Sequence, residues 1–334
     1  MLSEPNLITV LTVRLNSSRL PQKGIKEVSG KPIMTWIAKR LQSLPGMLVI
    51  ATTIEPSDDP IIEIGKELNI PIWRGPINDV VKRMDQAISA FMPDAQYVFR
   101  ALGDCPFIET DFVARAIDVM ARTKSEAFLW HLAPETWPVY GAREFPYSRS
   151  AWNKINNLAK GDEREHIDLY FHRNRSLFKI VYHQPPPFTY FRPYRLEIDW
   201  FEDYDLIKAI AEGVGMDAQL SDIIDFLDKN DEISRINRER VEKTGPMSSY
   251  AYSQRRAWMK AMNGKPVTSW TDTIWKPPGE DATPVFCSSG KCMVGYGDSG
   301  VLYTKAGDRI SGNAFINCTC GAGKYWKQPR ARKI

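Results

Sequence analysis

The chain has 334 residues, 43% of them hydrophobic and 25% charged, with a formal net charge of +4. These are ordinary values for a globular protein of about two domains. There is no run of about eighteen apolar residues, which argues against a transmembrane helix, and Met1–Pro5 lacks the basic-then-apolar pattern of a signal peptide, so a cytoplasmic location is expected. The charge is uneven: residues 231–334 carry 17 Lys and Arg against 9 Asp and Glu, while the first 230 carry 27 against 31. That shift predicts a boundary near residue 230, with domains at 1–230 and 231–334.

In chain order, Leu7–Val13 is a β-branched, apolar run and predicts a strand. Ile33–Leu44 predicts a helix, with Ile33, Ile37, Ala38 and Leu41 on one face. Met47–Thr52 predicts a strand, Asp59–Leu68 a helix with Pro60 in its first turn, and Ile70–Trp73 a strand. Asn78–Phe91 predicts a helix, Tyr97–Leu102 a strand, Thr110–Met120 a helix and Ala127–Trp130 a strand. Alternation of this kind predicts an α/β fold, a mostly parallel sheet with helices on both faces. Ligands of such sheets lie beyond the carboxyl ends of the strands, so the loops after Val13, Thr52, Trp73 and Leu102 are the places for chemistry. Helices follow at Arg149–Leu158 and Arg164–Arg173, then a strand at Leu177–Val181, ended by the proline-rich Gln184–Pro187. Tyr194–Ile198 predicts a strand, and Phe201–Ala211, Ser221–Leu227 and Ile233–Val241 predict helices.

The loop Arg14-Leu15-Asn16-Ser17-Ser18-Arg19-Leu20-Pro21-Gln22-Lys23 follows the first strand directly. It gathers two Arg, one Lys, two hydroxyls and several backbone N–H groups, a set suited to a polyphosphate. It lacks the Gly-x4-Gly-Lys-Ser/Thr spacing of a P-loop. A solvated basic turn is the competing reading on chemistry alone.

Here the sequence resembles the acylneuraminate and spore-coat-polysaccharide type of cytidylyltransferase, a nucleotidyltransferase of the GT-A-like, Rossmann-like α/β class. That family opens on a strand and then Ala-Arg-x-Gly-Ser-x-Arg-Leu-Pro-x-Lys. Arg14, Ser17, Arg19, Leu20, Pro21 and Lys23 match in register; Val13 replaces Ala and Asn16 replaces Gly. Downstream, Ala51-Thr52-Thr53 with Asp58-Asp59-Pro60, Trp73-Arg74-Gly75 with Asp79-Val80 and Arg83, Arg100-Ala101-Leu102-Gly103-Asp104-Cys105-Pro106, and Arg164-Glu165-His166 resemble further family motifs. Arg195-Leu196-Glu197-Ile198-Asp199 with Glu202-Asp203 resembles Arg-Leu-Thr-x-Asp-x-x-Glu-Asp. The resemblance runs from about 7 to 215, and the order of six weak motifs makes it specific.

The resemblance implies transfer of CMP from CTP to a sugar or sugar acid, with release of pyrophosphate. Arg14, Ser17, Ser18, Arg19 and Lys23 would bind the nucleotide, and Arg74 and Arg100 would contact nucleotide or acceptor. Asp104 and Asp199, each just after a predicted strand, would hold Mg2+, a cation that takes oxygen ligands; turn or N-cap roles are the competing reading. Catalysis would come from positioning and charge neutralisation by Arg14, Lys23 and Asp104. His166 is a candidate acceptor contact or proton acceptor, against a plain helix histidine. Two other readings stand beside this one. The first is a glycosyltransferase on the same fold, although Gly103-Asp104-Cys105 lacks the Asp-x-Asp of that class. The second is an inactive binding or structural relative, motivated by Asn16.

Beyond Gly245 the texture turns to Gly, Ser, Trp and Lys. Cys287 and Cys292, then Cys318 and Cys320, form two pairs within about 280–325, a small Cys- and Gly-rich module with strand-like stretches at Val301–Thr304 and Asn313–Asn317. In a cytosolic chain such pairs suggest Zn2+ before disulfides, with buried free thiols as the alternative. Its basic and aromatic residues (Trp258, Trp270, Trp275, Tyr325, Trp326, Lys327, Arg330, Arg332) suit a glycan, a nucleic acid or a partner subunit, with homo-oligomerisation or capping the alternative. Cys105 is expected to be a small buried residue.

Overall fold

The computed structural model describes residues 6–130, 139–142, 145–183, 189, 194–238 and 240, and the backbone of six short strands beyond them. The main sheet has seven strands in the order β5-β4-β1-β6-β8-β7-β9. These are β1 (Leu7–Thr12), β4 (Met47–Thr53), β5 (Ile72–Gly75), β6 (Tyr97–Leu102), β7 (Ala127–Trp130), β8 (Tyr147–Ser148) and β9 (Ile180–His183). β5, β4, β1 and β6 run parallel, and β7 runs parallel to β9. The two-residue β8 is antiparallel to both neighbours, which the sequence reading did not foresee. A hairpin of β2 (Glu27–Val28) and β3 (Lys31–Pro32) was also missed. Ser29 and Gly30 turn it through two left-handed residues, the geometry of a tight hairpin.

The helices are α1 (Ile33–Leu41), α2 (Asp59–Glu67), α3 (Val80–Phe91), α4 (Thr110–Thr123), α5 (Arg149–Leu158), α6 (Ile167–Arg173), α7 (Phe201–Val214), α8 (Leu220–Lys229) and α9 (Asp231–Ser234). Their apolar stripes make two cores, one on each sheet face. Leu7, Leu11, Phe99 and Ala101 meet α1, α4, α7 and α8; Ile8, Val10 and Val98 meet α3, α5 and α6. This is the period-2 alternation of strands buried on both sides. The expected α6 begins at Ile167 because Gly161–Arg164 winds as a 3-10 turn, and the helix expected at Ile233–Val241 is interrupted by a turn after α9 and is helical again at Arg238 and Arg240, the last residues described there.

Tyr194–Ile198 is extended but joins no named strand. It makes an isolated bridge, Tyr140 with Arg195, and its Ile198 N–H bonds the Asp104 carbonyl. Gly141 has φ +89°, and a Cβ there would come within 2.7 Å of the Glu197 nitrogen, so only glycine lets this segment close up. Among the described residues no helix is long and apolar enough to cross a membrane. The proline-rich 184–187 lies outside the described residues. Beyond residue 240, β10 (Thr283–Phe286), β11 (Met293–Asp298), β12 (Val301–Tyr303) and β13 (Arg309–Ile310) form an antiparallel sheet, and β14 (Phe315–Ile316) pairs with β15 (Trp326–Lys327). Cys287, Cys292, Cys318 and Cys320 lie outside the described residues, as does the zinc reading that rests on them.

Candidate active site

From β1 the chain crosses to β4 and β5 on one side and then returns to β6 on the other. The crevice beyond the carboxyl ends of β1 and β6 is therefore the topological switch point. The two loops leaving it pack tightly: a Cβ on Gly103 would lie 2.7 Å from the Val13 Cβ. The first loop is anchored from below by Asp58, which is 1% exposed. Its carboxylate accepts from the Leu15 N–H at 2.8 Å, the Thr52 hydroxyl at 3.0 Å, the Thr53 N–H at 3.2 Å and the Thr53 hydroxyl. The loop then turns back on itself, with the N–H groups of Ser17 and Gln22 both donating to the Leu15 carbonyl. Its left-handed residue is Gln22, not Asn16. Asn16 therefore needs no glycine-like conformation.

At the mouth of the crevice stands a carboxylate centre. The Lys23 ammonium donates to Asp104 Oδ2 at 2.6 Å, to Asp199 Oδ1 at 2.9 Å and to the Ile198 carbonyl at 3.0 Å, so all three of its protons are engaged. Arg19 reaches Asp199 Oδ1 at 2.8 Å and Arg195 reaches Oδ2 at 2.9 Å. The Ile198 N–H donates to the Asp104 carbonyl at 2.8 Å, which ties the 194–199 segment to the β6 loop. Asp203, fully buried in the first turn of α7, accepts from the N–H groups of Asp199 and Trp200, the Arg195 Nε and the Asn237 amide. A carboxylate there suits the helix N-terminus and fixes Asp199 in place.

Burial works against the Lys23 charge, yet Asp104 and Asp199 outweigh it and raise its pKa. Burial likewise pushes the Asp199 carboxyl up, but Lys23, Arg19 and Arg195 hold it below its ordinary value. Glu197 joins the group: one oxygen each of Asp104, Glu197 and Asp199 lie within 4.8 Å of one another. An all-oxygen set of this charge fits a hard divalent cation. The ammonium already lodged between Asp104 and Asp199 shows that the space favours positive charge.

The family described as cytidylyltransferase matches residues 8–230. The chain belongs to that family. It is a nucleotidyltransferase, and the family supports CTP as the nucleotide. The chain is 26% identical over 246 residues to an uncharacterised protein of Methanocaldococcus jannaschii, covering 71% of this chain and 97% of the relative. It is 24% identical to the spore coat polysaccharide biosynthesis protein SpsF of Bacillus subtilis, covering 67% of this chain and 95% of that protein. It is also 24% identical to a 3-deoxy-manno-octulosonate cytidylyltransferase of Bartonella tribocorum, covering 69% and 97%. Among solved structures, a cytidylyltransferase from Leptospira borgpetersenii superposes with TM-score 0.62 at 25% identity, over 69% of this chain and 96% of that one.

The cytidylyltransferase motifs divide into those that meet at the crevice and those that brace it. Arg19, Lys23, Asp104 and Asp199 converge. Arg14 pairs with Glu165 at 3.0 Å, which brings the Arg-Glu-His segment against the first loop. His166 is exposed and is the N-cap residue of α6. Ser17 accepts from the Leu20 N–H at 3.4 Å within the loop, and Ser18 is exposed. Arg74 is a brace: it donates to the Thr53 and Glu55 carbonyls at 2.8 and 2.7 Å and pairs with Asp59 at 2.8 Å. Arg164 binds Asp79, the N-cap of α3, at 2.7 Å. Arg100 lies on β6 beside Val10, with its nearest carboxylate, Asp168, at 3.7 Å. Cys105 is buried. Sequence reasoning missed Glu197, which stands where the family pattern has Thr, and the supporting roles of Asp58 and Asp203.

Proposed function

We propose that the chain transfers CMP from CTP to the hydroxyl of a sugar or sugar acid, releasing pyrophosphate. The observation that carries this reading is the Lys23 ammonium bridging Asp104 and Asp199 at the switch point of the sheet. Arg14, Arg19 and Lys23 bind the triphosphate, and the N–H groups of the 14–23 loop hold its oxygens. Asp104 and Asp199, with Glu197 beside them, hold Mg2+, which when bound neutralises charge on the phosphates. Asp58 and Asp203 keep the loop and Asp199 in position, so that the acceptor hydroxyl meets the α-phosphorus without reorganisation.

Pyrophosphate release, measured with each of the four nucleoside triphosphates, Mg2+ and a panel of sugars and sugar acids, tests the reading. Release with CTP, abolished by Asp104→Asn, is expected. Release that survives Asp104→Asn removes Asp104 from the cation site. Failure of any nucleotide to bind by calorimetry favours a binding or structural protein instead.

A further inference from the structure

The family match ends at residue 230, yet the chain beyond it comes back to the carboxylate centre. Asn237, 2% exposed, donates its amide to the Arg195 carbonyl at 3.0 Å and to Asp203 Oδ1 at 2.8 Å. The other Asp203 oxygen takes the N–H groups of Asp199 and Trp200, both at 3.0 Å. One buried carboxylate therefore ties residue 237 to the backbone that carries Asp199. A turn further on, the Arg240 N–H donates to the Asn237 carbonyl at 2.9 Å. The Arg240 guanidinium lies over the Trp200 ring, 4.2 Å from its centroid, and Glu202 fixes it there at 2.9 and 3.3 Å.

Trp200 carries this contact inward. The Arg19 Cζ lies 5.7 Å from the centroid of the same ring, while its Nη2 reaches Asp199 Oδ1 at 2.8 Å. The indole N–H of Trp200 is buried and has no hydrogen-bond partner. A buried indole normally takes up such a bond, so none sets the orientation of this ring. It is oriented instead by the Asp203 bond to its own backbone and by two guanidinium groups, which stack favourably on aromatic faces. The Arg19 side chain is 47% exposed. A long side chain with that much freedom loses rotamer entropy when it grips a ligand, and a surface that orients it beforehand lessens the loss.

We propose that Trp200 and Arg240 are positioning residues for Arg19. The Arg240–Trp200–Arg19 stack orients the Arg19 guanidinium for the triphosphate, so that residues 237–240, outside the family match, complete the nucleotide site. This inference rests on the cytidylyltransferase reading for naming the triphosphate as the ligand. The stack itself stands on the geometry of the three side chains. A ring that only braced the start of α7 would support stability and leave nucleotide affinity alone.

Calorimetry and fluorine NMR on the full chain test the two parts. CTP with Mg2+ is titrated into the wild type, Trp200→Leu, Arg240→Met and Arg19→Met, and into each of the first two variants combined with Arg19→Met. Trp200→Leu and Arg240→Met are each expected to weaken CTP about threefold to tenfold, the scale of one cation–π contact, but by less than about twofold in the Arg19→Met background. Trp200→Phe keeps a ring for the stack and is expected to recover most of the affinity. The proposal is overturned if either loss adds fully to that of Arg19→Met, if neither variant weakens CTP, or if Trp200→Phe binds no better than Trp200→Leu. Should Trp200→Leu not fold, the cycle with Arg240→Met decides. In protein labelled with fluorotryptophan, the Trp200 signal is the one that Trp200→Phe removes. Both Arg240→Met and Arg19→Met are expected to displace it, and a signal indifferent to either variant overturns the stack. A wild type that binds no nucleotide defeats the cytidylyltransferase reading, and the fluorine signal then decides the stack on its own.

Discussion

Asp58 carries the first loop, and Asp58→Asn isolates that role with almost no change of volume. The carboxylate takes four donors in a site 1% exposed. In the amide, one oxygen can still accept from the Leu15 N–H, but the NH2 group now faces the Thr53 N–H and two hydroxyls. The hydroxyls can rotate and accept; the backbone N–H cannot. The change therefore removes at least one hydrogen bond to a charged group, about 1.5–3 kcal/mol, and leaves a buried N–H unpaired, about 1–3 kcal/mol. A total loss of about 3–5 kcal/mol is expected, a large share of the stability of an ordinary domain, roughly 5–15 kcal/mol. Urea unfolding at neutral pH measures it as a lower midpoint at unchanged slope. The neighbour Asp59, 59% exposed and paired with Arg74 at 2.8 Å, is the internal control. Asp59→Asn is expected to cost less than about 1 kcal/mol, as exposed ion pairs do. Equal midpoints for the two variants refute the claim that Asp58 holds the loop.

Other outcomes follow from the same geometry. Lys23→Met leaves Asp104 and Asp199 facing each other with only Arg19 and Arg195 as counter-charges, and is expected to lose about 2 kcal/mol in divalent-free buffer. Because no ammonium then competes for the carboxylates, MgCl2 should raise its melting temperature more than it raises the wild type's; an equal response in a thermal-shift series contradicts this. Gly103→Ala drives a methyl to 2.7 Å from the Val13 Cβ, so about 1–3 kcal/mol of overpacking and slower pyrophosphate release are expected from paired unfolding and turnover assays. Burial pushes Glu126 up, but Lys154, the Lys179 N–H and the Ser150 hydroxyl outweigh it and hold its carboxyl below the ordinary value. A depressed folded-state pKa stabilises above the unfolded value, about 4.3, and that stability is lost as pH falls through the folded one. The stability gap between wild type and Glu126→Gln should therefore be widest near pH 7 and shrink below about pH 4.5; a gap independent of pH refutes the pairing.

The long elements were legible in the sequence because each buries a wide face with a clear period. α3 places Val80, Val81, Met84, Ala87 and Ile88 on one side, and β1 is mostly apolar and buried throughout because helices cover both its faces. β8 and the β2–β3 hairpin were not legible, since two-residue strands are too short to carry a period. The Lys23, Asp104 and Asp199 centre was read through motif order. What motif order does not give is division of labour. Arg74 and Arg100 look alike as arginines after or within strands, yet one is saturated by carbonyls and Asp59 while the other has an unpaired Nε. That difference depends on which backbone oxygens the fold brings near, a long-range property with no local sequence sign.

The segment from Tyr194 to Asp199 shows how a misassigned element can still point to the site. Its alternation is real: Tyr194, Leu196 and Ile198 are buried in the core, and Arg195, Glu197 and Asp199 face the other way. A solvated sheet edge would leave those three in water. Instead Arg195 and Asp199 are each only 5% exposed, and the backbone bonds run to the loop residues Tyr140 and Asp104. Period 2 identified the extended backbone correctly, but its polar side faces a buried network of charges. Charged residues are almost never buried unless paired, so a strand-like repeat with three of them on one face, next to a helix start rich in Glu202 and Asp203, has two physical outcomes. It is a solvated edge, or it is a charge centre that the rest of the fold must balance. Lys23, Arg19 and Arg195 supply that balance here, and this couples the first loop to the start of α7 across some 180 residues of chain.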